Sequence, residues 1–410
     1  MLAVVHGLWR GGAQEATLEM LRLLKGRNVD VRVLTCSGAD RAFLSEIEEL
    51  GIAAFETSYK APLRYPNLDV EKYDELVRSS DIVWVTDVEY PVAPRIKRIR
   101  KDIPVIAHIH APALACPLWS AFYGTGECTV NCARSFDRFR RCRYLLKEYS
   151  LRYTMSTQMK LYQLLNFPKS CLDFVMWPMN ERIVESIDGF VSVSRYTRDL
   201  IRIHLPQLND VPVEVVPNAV MVPDPSLVRK NHQGNRDITI LYASGSQILK
   251  GPHIALYATK KLLDECSKDF TLAMLGVEQT AWIRSLVKRL KIEGHVRLLA
   301  RLPSRPLAFM ANSTAVLMPS LHPESFGRVP VEANLLGTPA IVSNRGALPD
   351  TIVEQVTGLV TEPSVEAVAK ALDEALGADW NPELISRIAK ERFDPERTID
   401  RFMHFLEKFV

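Results

Sequence analysis

The chain has 410 residues, 47% of them apolar and 24% charged, a composition ordinary for globular proteins and a length beyond one core of usual size. The formal net charge of +3 is too small for the total to argue for nucleic acid, so a basic function would have to rest on local clusters. No apolar run reaches the roughly 18 residues of a membrane-spanning helix, and the opening MLAVVHGLWRGGAQ lacks the basic segment and long apolar stretch of a signal peptide.

The expected compartment is therefore the cytoplasm. Four apolar runs, LAVVHG at the start, VRVLTC from Val31, IVWVT from Ile82 and VIAHIH from Val105, predict buried strands rich in Val and Ile. Residues 14–25, between the first two, carry apolar side chains at helical spacing. This β-α-β order predicts a parallel sheet with right-handed crossovers. Residues 111–185 break the rhythm and read as an insertion in the first domain. They hold Cys116, Cys128, Cys132 and Cys142 and the basic run RSFDRFRRCRYLLK at 134–147. FVSVS near 190 and VEVV near 213 complete the first half. PDPS and NHQGN follow without periodicity and read as a linker near 219–236. ITILYAS, TLAMLG, VRLLA, AVLMPS and AIVSN then alternate with helices again. The expected class is α/β, with a first domain over 1–218, a second over 219–390 and a final helix over 391–410.

The chemistry concentrates in PSLHPESFGRVPVEANLLGTPAIVSN, from Pro319. A strand runs through a loop bearing Glu324, Ser325, Phe326 and Gly327 into a helix expected to begin near 328–330, where Pro330 suits a first turn. Gly327 permits close backbone approach to a ligand. The free N–H groups and dipole of the helix start form an anion site. Glu332 lies one turn inside that helix. Carboxylates there suit sugar hydroxyls, and the N–H groups suit a diphosphate. Gly11, Gly12, Ala13 and Gln14 form a second phosphate-type turn between the first strand and helix. His110 stands at a strand end, where α/β proteins place ligands. His108 lies two residues earlier on the same face. Lys250 precedes Gly251 in YASGSQILKGPHIAL.

Glu324 and Glu332, with seven residues between them, resemble the E-x7-E motif of glycosyltransferase family 4. The resemblance extends through GTPAIVSN and TGLV, and over the GGAQ turn, SVSRYTRDLI, EVVPNAV and the final FDPERTIDRFMHFLEKFV. It implies a GT-B fold, two Rossmann-like domains facing each other across a cleft, with the last helix crossing back to the first. It implies retaining, metal-independent transfer of a hexose-type sugar from a UDP- or GDP-sugar, with no cofactor beyond that nucleotide-sugar substrate. His110, Glu324 and Lys250 would be catalytic. Gly11, Gly12, Gln14, Lys250, Ser325, Phe326, Gly327, Arg328 and Glu332 would bind the donor, with Glu324 on the sugar and Glu332 on the ribose. The implied acceptor is a glycan or lipid-linked molecule in surface polysaccharide, glycolipid or glycoprotein glycan assembly.

Two positions depart from the family pattern. Gln14 stands where Glu is common, and Gly245 stands where an Arg usually helps Lys250 neutralise the leaving diphosphate. Arg328 and Arg345 are the candidates to replace that cation. The four cysteines, with eleven, three and nine residues between them, allow a structural metal, a disulfide or free thiols. The 134–147 run suits either docking on anionic lipid at the inner face of the membrane or a solvated helix face. RIKRIRK at 95–101 allows the same two readings. A GT-B phosphorylase or epimerase and a non-catalytic nucleotide-sugar-binding protein are the alternatives. A nucleic-acid role is disfavoured by the near-neutral total.

Overall fold

The computed structural model describes residues 1–5, 11–35, 40–56, 73–86, 89–111, 122–123, 126–127, 179–223, 225, 240–265, 269–302 and 306–410. The four clustered cysteines, the 134–147 run and most of the linker lie outside the described residues.

The first domain alternates β1 (Leu2–Val5), α1 (Gly12–Gly26), β2 (Arg32–Thr35), α2 (Arg41–Glu49), β3 (Ala53–Glu56), α3 (Asp74–Arg78), β4 (Val83–Thr86), α4 (Ala93–Ile99) and β5 (Val105–Ile109). A short ribbon, β6 (Phe122–Tyr123) with β7 (Gly126–Glu127), and α5 (Met179–Val184) follow. Next come β8 (Gly189–Ser192), α6 (Arg195–His204) and β9 (Val213–Val215). Seven strands form one sheet in the order β3-β2-β1-β4-β5-β8-β9, and every pairing is parallel. Alternation along the strands sends side chains to opposite faces. Val83, Val85, Val105 and Ala107 meet α3, α4, α5 and α6 through Val77, Ile96, Ile183 and Ile201. Ala3, Val5, Trp84 and Ile106 meet Leu18 and Leu21 of α1 on the other face.

The second domain runs β10 (Ile240–Tyr242), α7 (Pro252–Glu265), β11 (Leu272–Leu275), α8 (Ala281–Leu290), β12 (Val296–Leu299), α9 (Leu307–Ala311), β13 (Ala315–Met318), α10 (Arg328–Leu335), β14 (Ala340–Ser343), β15 (Gly358–Thr361), α11 (Val365–Gly377) and α12 (Pro382–Arg392). Its sheet order is β12-β11-β10-β13-β14-β15, again all parallel. One face packs on α7, α8 and α11 through Ile254, Leu286 and Leu372. The other packs on α9 and α10 through Met310 and Ala333.

The last helix, α13 (Pro395–Leu406), belongs by packing to the first domain. Its N-cap Asp394 accepts the N–H of Glu396, and Pro395 occupies the first turn. Ile399, Phe402, Phe405 and Leu406 bury against Ala3, Val5, Leu18 and Trp84, so the chain crosses between domains twice. Among the described residues no helix is long and apolar enough to cross a membrane.

In both sheets the strand order reverses beside the first strand, between β1 and β4 and between β10 and β13. Open parallel sheets bind ligands at such a reversal, outside the carboxyl ends of the strands. The loops leaving β10 and β13 carry Lys250 and Glu324, and the turn between β1 and α1 carries Gly11 and Gly12.

Candidate active site

Two loops meet at the second reversal. After β10 the chain makes a short turn, Ile248–Lys250, that ends on Gly251 in the left-handed region, φ 77°. A side chain at Gly251 would place Cβ 2.0 Å from the Pro319 carbonyl oxygen, so glycine is required for the two loops to touch. The Leu249 carbonyl then accepts the N–H of Leu321 at 2.8 Å. The buried Tyr242 hydroxyl donates to the Gly245 carbonyl at 2.8 Å and lies 3.3 Å from that of Lys250. Burial and the nearby Glu324 charge push its pKa well up, which keeps it a donor.

The result is a tight ion pair. Lys250 Nζ donates to Glu324 Oε1 at 2.6 Å and Oε2 at 2.8 Å. Ser320 Oγ donates to Oε1 at 2.8 Å, and His322 Nε2 stands 3.3 Å from the same oxygen. Burial alone would raise the Glu324 carboxyl, but the Lys250 ammonium and the His322 ring outweigh it and hold the group well below the usual carboxylate range. Glu324 also ties the site to the loop after β14, because its carbonyl accepts the N–H of Ala347 at 2.8 Å.

A carboxyl depressed in the folded state adds stability that is complete above its unfolded pKa of about 4.3 and fades as pH falls below it. The melting-temperature gap between wild type and Glu324→Gln is therefore expected to be widest at neutral pH. It should shrink steadily once pH falls below about 4.3. A gap independent of pH would contradict the pairing.

Gly327 caps the helix α10 at φ 94°, a conformation that penalises any side chain. The helix begins at Arg328, within the expected window. Arg328 Nε donates to Glu332 Oε1 at 2.8 Å, one turn along. Its other nitrogens reach into the first domain, Nη1 to Glu19 Oε2 at 2.6 Å and Nη2 to Glu19 Oε1 at 2.8 Å. Burial would lower this guanidinium, but the hydrogen bonds it gives to Glu19 and the charges of both carboxylates raise it above its ordinary value, so it remains a cation.

The glycine turn approaches the same place. A Cβ on Gly12 would lie 4.0 Å from Arg328 Cδ, and one on Gly11 would lie 3.1 Å from the Gln14 amide oxygen. Gln14 is buried. Thus Gly12 and Arg328 meet across the domains, while Lys250 and Glu324 meet within the second. Ser325 and Phe326 join the halves. The Ser325 carbonyl accepts from Thr197 Oγ1 at 3.1 Å. The Phe326 ring packs edge-on against Phe393, 6.0 Å between centroids, in a cluster with Val193, Val220 and Leu335. The Phe326 side chain is thus a hydrophobic anchor between domains.

His110 follows β5 in the first sheet. It is buried, with its ring 4.2 Å from that of His108. His108 in turn stacks on Phe402 of α13 at 6.1 Å, and its ring nitrogens have no hydrogen-bond partner among the described residues. Burial, reinforced by His110, pushes the His108 imidazole far below its usual range, so it packs as a neutral ring.

The backbone at position 245 suits the glycine found there. Gly245 adopts φ 78°, which disfavours arginine whatever the space around it. Arg328 is engaged with two carboxylates. Arg345 donates through Nη1 to Asn344 Oδ1 at 2.6 Å and through Nη2 to Glu362 Oε2 at 3.1 Å. Among the described residues no cluster of three or more side chains suits a metal ion. Glu19, Ser320 and His322 were not singled out from sequence. Glu19 leaves a trace there, as a carboxylate on the apolar face of α1, but its partner lies 309 positions away.

The chain is 31% identical to the D-inositol 3-phosphate glycosyltransferase of Corynebacterium urealyticum over 160 residues, which is 37% of this chain and 36% of that protein. The chain spans between 33% and 59% of the length of the curated relatives it matches. The crystal structure of Anabaena Alr3699/HepE in complex with UDP and glucose superposes with a TM-score of 0.69 at 18% identity, covering 99% of each chain. A glycosyltransferase from Rickettsia africae ESF-5 superposes with a TM-score of 0.69 at 17% identity, over 100% of this chain and 97% of that one. These likenesses show the fold, which is GT-B. Residues 225–392 match the family "Glycosyl transferases group 1". Residues 10–222, more than half of the chain, match "Glycosyltransferase Family 4", and the chain belongs to glycosyltransferase family 4.

Proposed function

We propose that this protein transfers a sugar from a nucleoside-diphosphate donor to an acceptor hydroxyl with retention of anomeric configuration. The observation that carries the reading is the pair of Lys250 with the buried Glu324 beside the N-terminus of α10. A sugar diphosphate needs positive charge where its leaving oxygen gathers negative charge, and fixed donors there lower the barrier. Lys250 and the first N–H groups of α10 supply that charge. The bond between the anomeric carbon and the phosphate oxygen breaks, and a bond to the acceptor oxygen forms on the same face. The acceptor proton passes to the departing diphosphate. Glu324 holds Lys250 in place and offers its carboxylate to the sugar hydroxyls, and Glu332 takes the ribose. His110 lines the sugar from the first domain. Charge compensation is assigned to these protein groups and to no metal ion. Arg345 is the second cation, because its partner Glu362 is 58% exposed and such a pair holds an arginine by about 1 kcal/mol or less. Arg328 is assigned to the carboxylates instead, because both of its partners are buried.

The crystal complex of the Anabaena protein with UDP and glucose supports a uridine donor, with GDP-sugars the alternative. The curated relatives named for D-inositol 3-phosphate make that molecule the first acceptor to try, beside glycan and lipid-linked acceptors. The test is a panel of UDP- and GDP-sugars with each acceptor, followed by proton NMR of the product anomer. The expected result is release of one nucleoside diphosphate with a retained anomeric linkage, slowed about a hundredfold in Lys250→Ala. Sugar phosphate released only with inorganic phosphate would indicate a phosphorylase. An epimerised donor would indicate an epimerase, and binding without turnover a non-catalytic protein.

A further inference from the structure

Glu19 is a buried charge with no role in the reaction just described. It lies in α1 of the first domain with a side chain 2% exposed, among the buried Leu18, Met20 and Leu21. Its carboxylate accepts both terminal nitrogens of Arg328 and the backbone N–H of Met221 at 3.0 Å. Met221 belongs to the segment where the chain crosses between domains. Arg328 Nη1 also lies 3.3 Å from the Ala219 carbonyl in that segment. The remaining nitrogen, Nε, donates to Glu332. One carboxylate of the first domain therefore grips the crossing segment and, through a single guanidinium, the carboxylate assigned to the ribose.

Stability alone is a weak reason for this arrangement. Burying an ion costs several kcal/mol, and well-packed apolar groups of similar volume often serve as well. What three ions add is a defined geometry. A guanidinium fork bound bidentately by Glu19 has its plane fixed, and the Nε–H direction lies in that plane. Glu332 is then set by a residue of the opposite domain, and a change in the relative placement of the domains moves it.

We infer that Glu19 is a positioning residue of the donor site. Acting through Arg328, it sets the Glu332 carboxylate for the ribose diol of a nucleoside diphosphate, and it makes that setting depend on how the two domains are placed. The inference rests on the reading of Glu332 as the ribose contact.

The test is calorimetric titration of wild type, Glu19→Ala and Glu19→Gln with UDP, GDP and their 2′-deoxy and 3′-deoxy forms. Wild type should bind one ribonucleotide about tenfold or more tighter than its deoxy forms, the worth of a hydrogen bond to a charged group. In both Glu19 variants that ratio should fall toward one, with little change for the deoxy ligands. A ratio preserved in a folded Glu19 variant would overturn the inference. So would equal losses for ribo and deoxy ligands, which would mark Glu19 as merely structural. Should Glu19→Ala fail to fold, Glu19→Gln carries the test, because it keeps the volume and one acceptor oxygen while losing the bidentate fork. Failure of wild type to bind either nucleotide, or to distinguish ribose from deoxyribose, would instead overturn the ribose reading beneath it.

Discussion

Lys250→Ala is expected to lose about a hundredfold or more in kcat/KM and about 3 kcal/mol of stability, the largest combined effect at the site. The two losses have different origins. Lys250 gives hydrogen bonds to both oxygens of Glu324, and Ser320 and His322 reach only Oε1. Without the ammonium, a carboxylate with a side chain 10% exposed loses its closest compensating charge, and removing one partner of a buried ion is strongly destabilising. On the proposed mechanism the rate falls because the leaving diphosphate loses a charge that is already positioned before the reaction begins. Lys250→Arg is expected to recover most of the stability and little of the rate, since a planar fork does not reproduce a compact ammonium. Steady-state kinetics with the donor found in the panel, alongside thermal melts, separate the two. Wild-type turnover by Lys250→Ala would remove Lys250 from the mechanism.

Arg328→Met is expected to lower stability by about 3–5 kcal/mol. The arginine is the shared partner of Glu19 and Glu332, whose side chains are 2% and 5% exposed. Methionine fills similar volume but leaves two buried carboxylates facing each other across the domain interface. Because the penalty is electrostatic, removing one of those charges should return part of it. The double variant Glu19→Gln, Arg328→Met should therefore be more stable than Arg328→Met alone, a non-additivity that urea midpoints resolve. Additive losses would mean that the pair acts through packing rather than charge.

The sequence revealed the elements of this site better than it revealed their partners. The apolar runs marked the strands because buried parallel strands are Val- and Ile-rich, and Pro330 marked the start of α10 because its fixed backbone and missing N–H suit a first turn. Those signals are local. The pairing of Lys250 with Glu324 spans 74 positions and exists because β10 and β13 are neighbours at the point where the strand order reverses. Glu332 read as a ligand contact, but its bond to Arg328 and the reach of Arg328 to Glu19 appear only once the domains are packed. Phe326 read as a backbone contact of a ligand loop, and the sequence did not show that its ring packs in a hydrophobic cluster with Phe393. Position 245 shows the converse case. The missing arginine was visible at once, but the left-handed backbone at Gly245 was not.

In the proposed function the N-terminus of α10 takes the nucleoside diphosphate and Glu332 takes the ribose. The most direct measurement is a thermal-shift series with UDP, GDP and ADP on wild type and Glu332→Ala, reading the ligand-induced change rather than the baseline. A ligand that binds only the folded state stabilises it by about 2.7 kcal/mol at a hundred times its Kd. One nucleotide is predicted to raise the melting temperature of wild type by several degrees and that of Glu332→Ala by far less. Equal shifts in both proteins, or no shift in wild type at millimolar nucleotide, would contradict it.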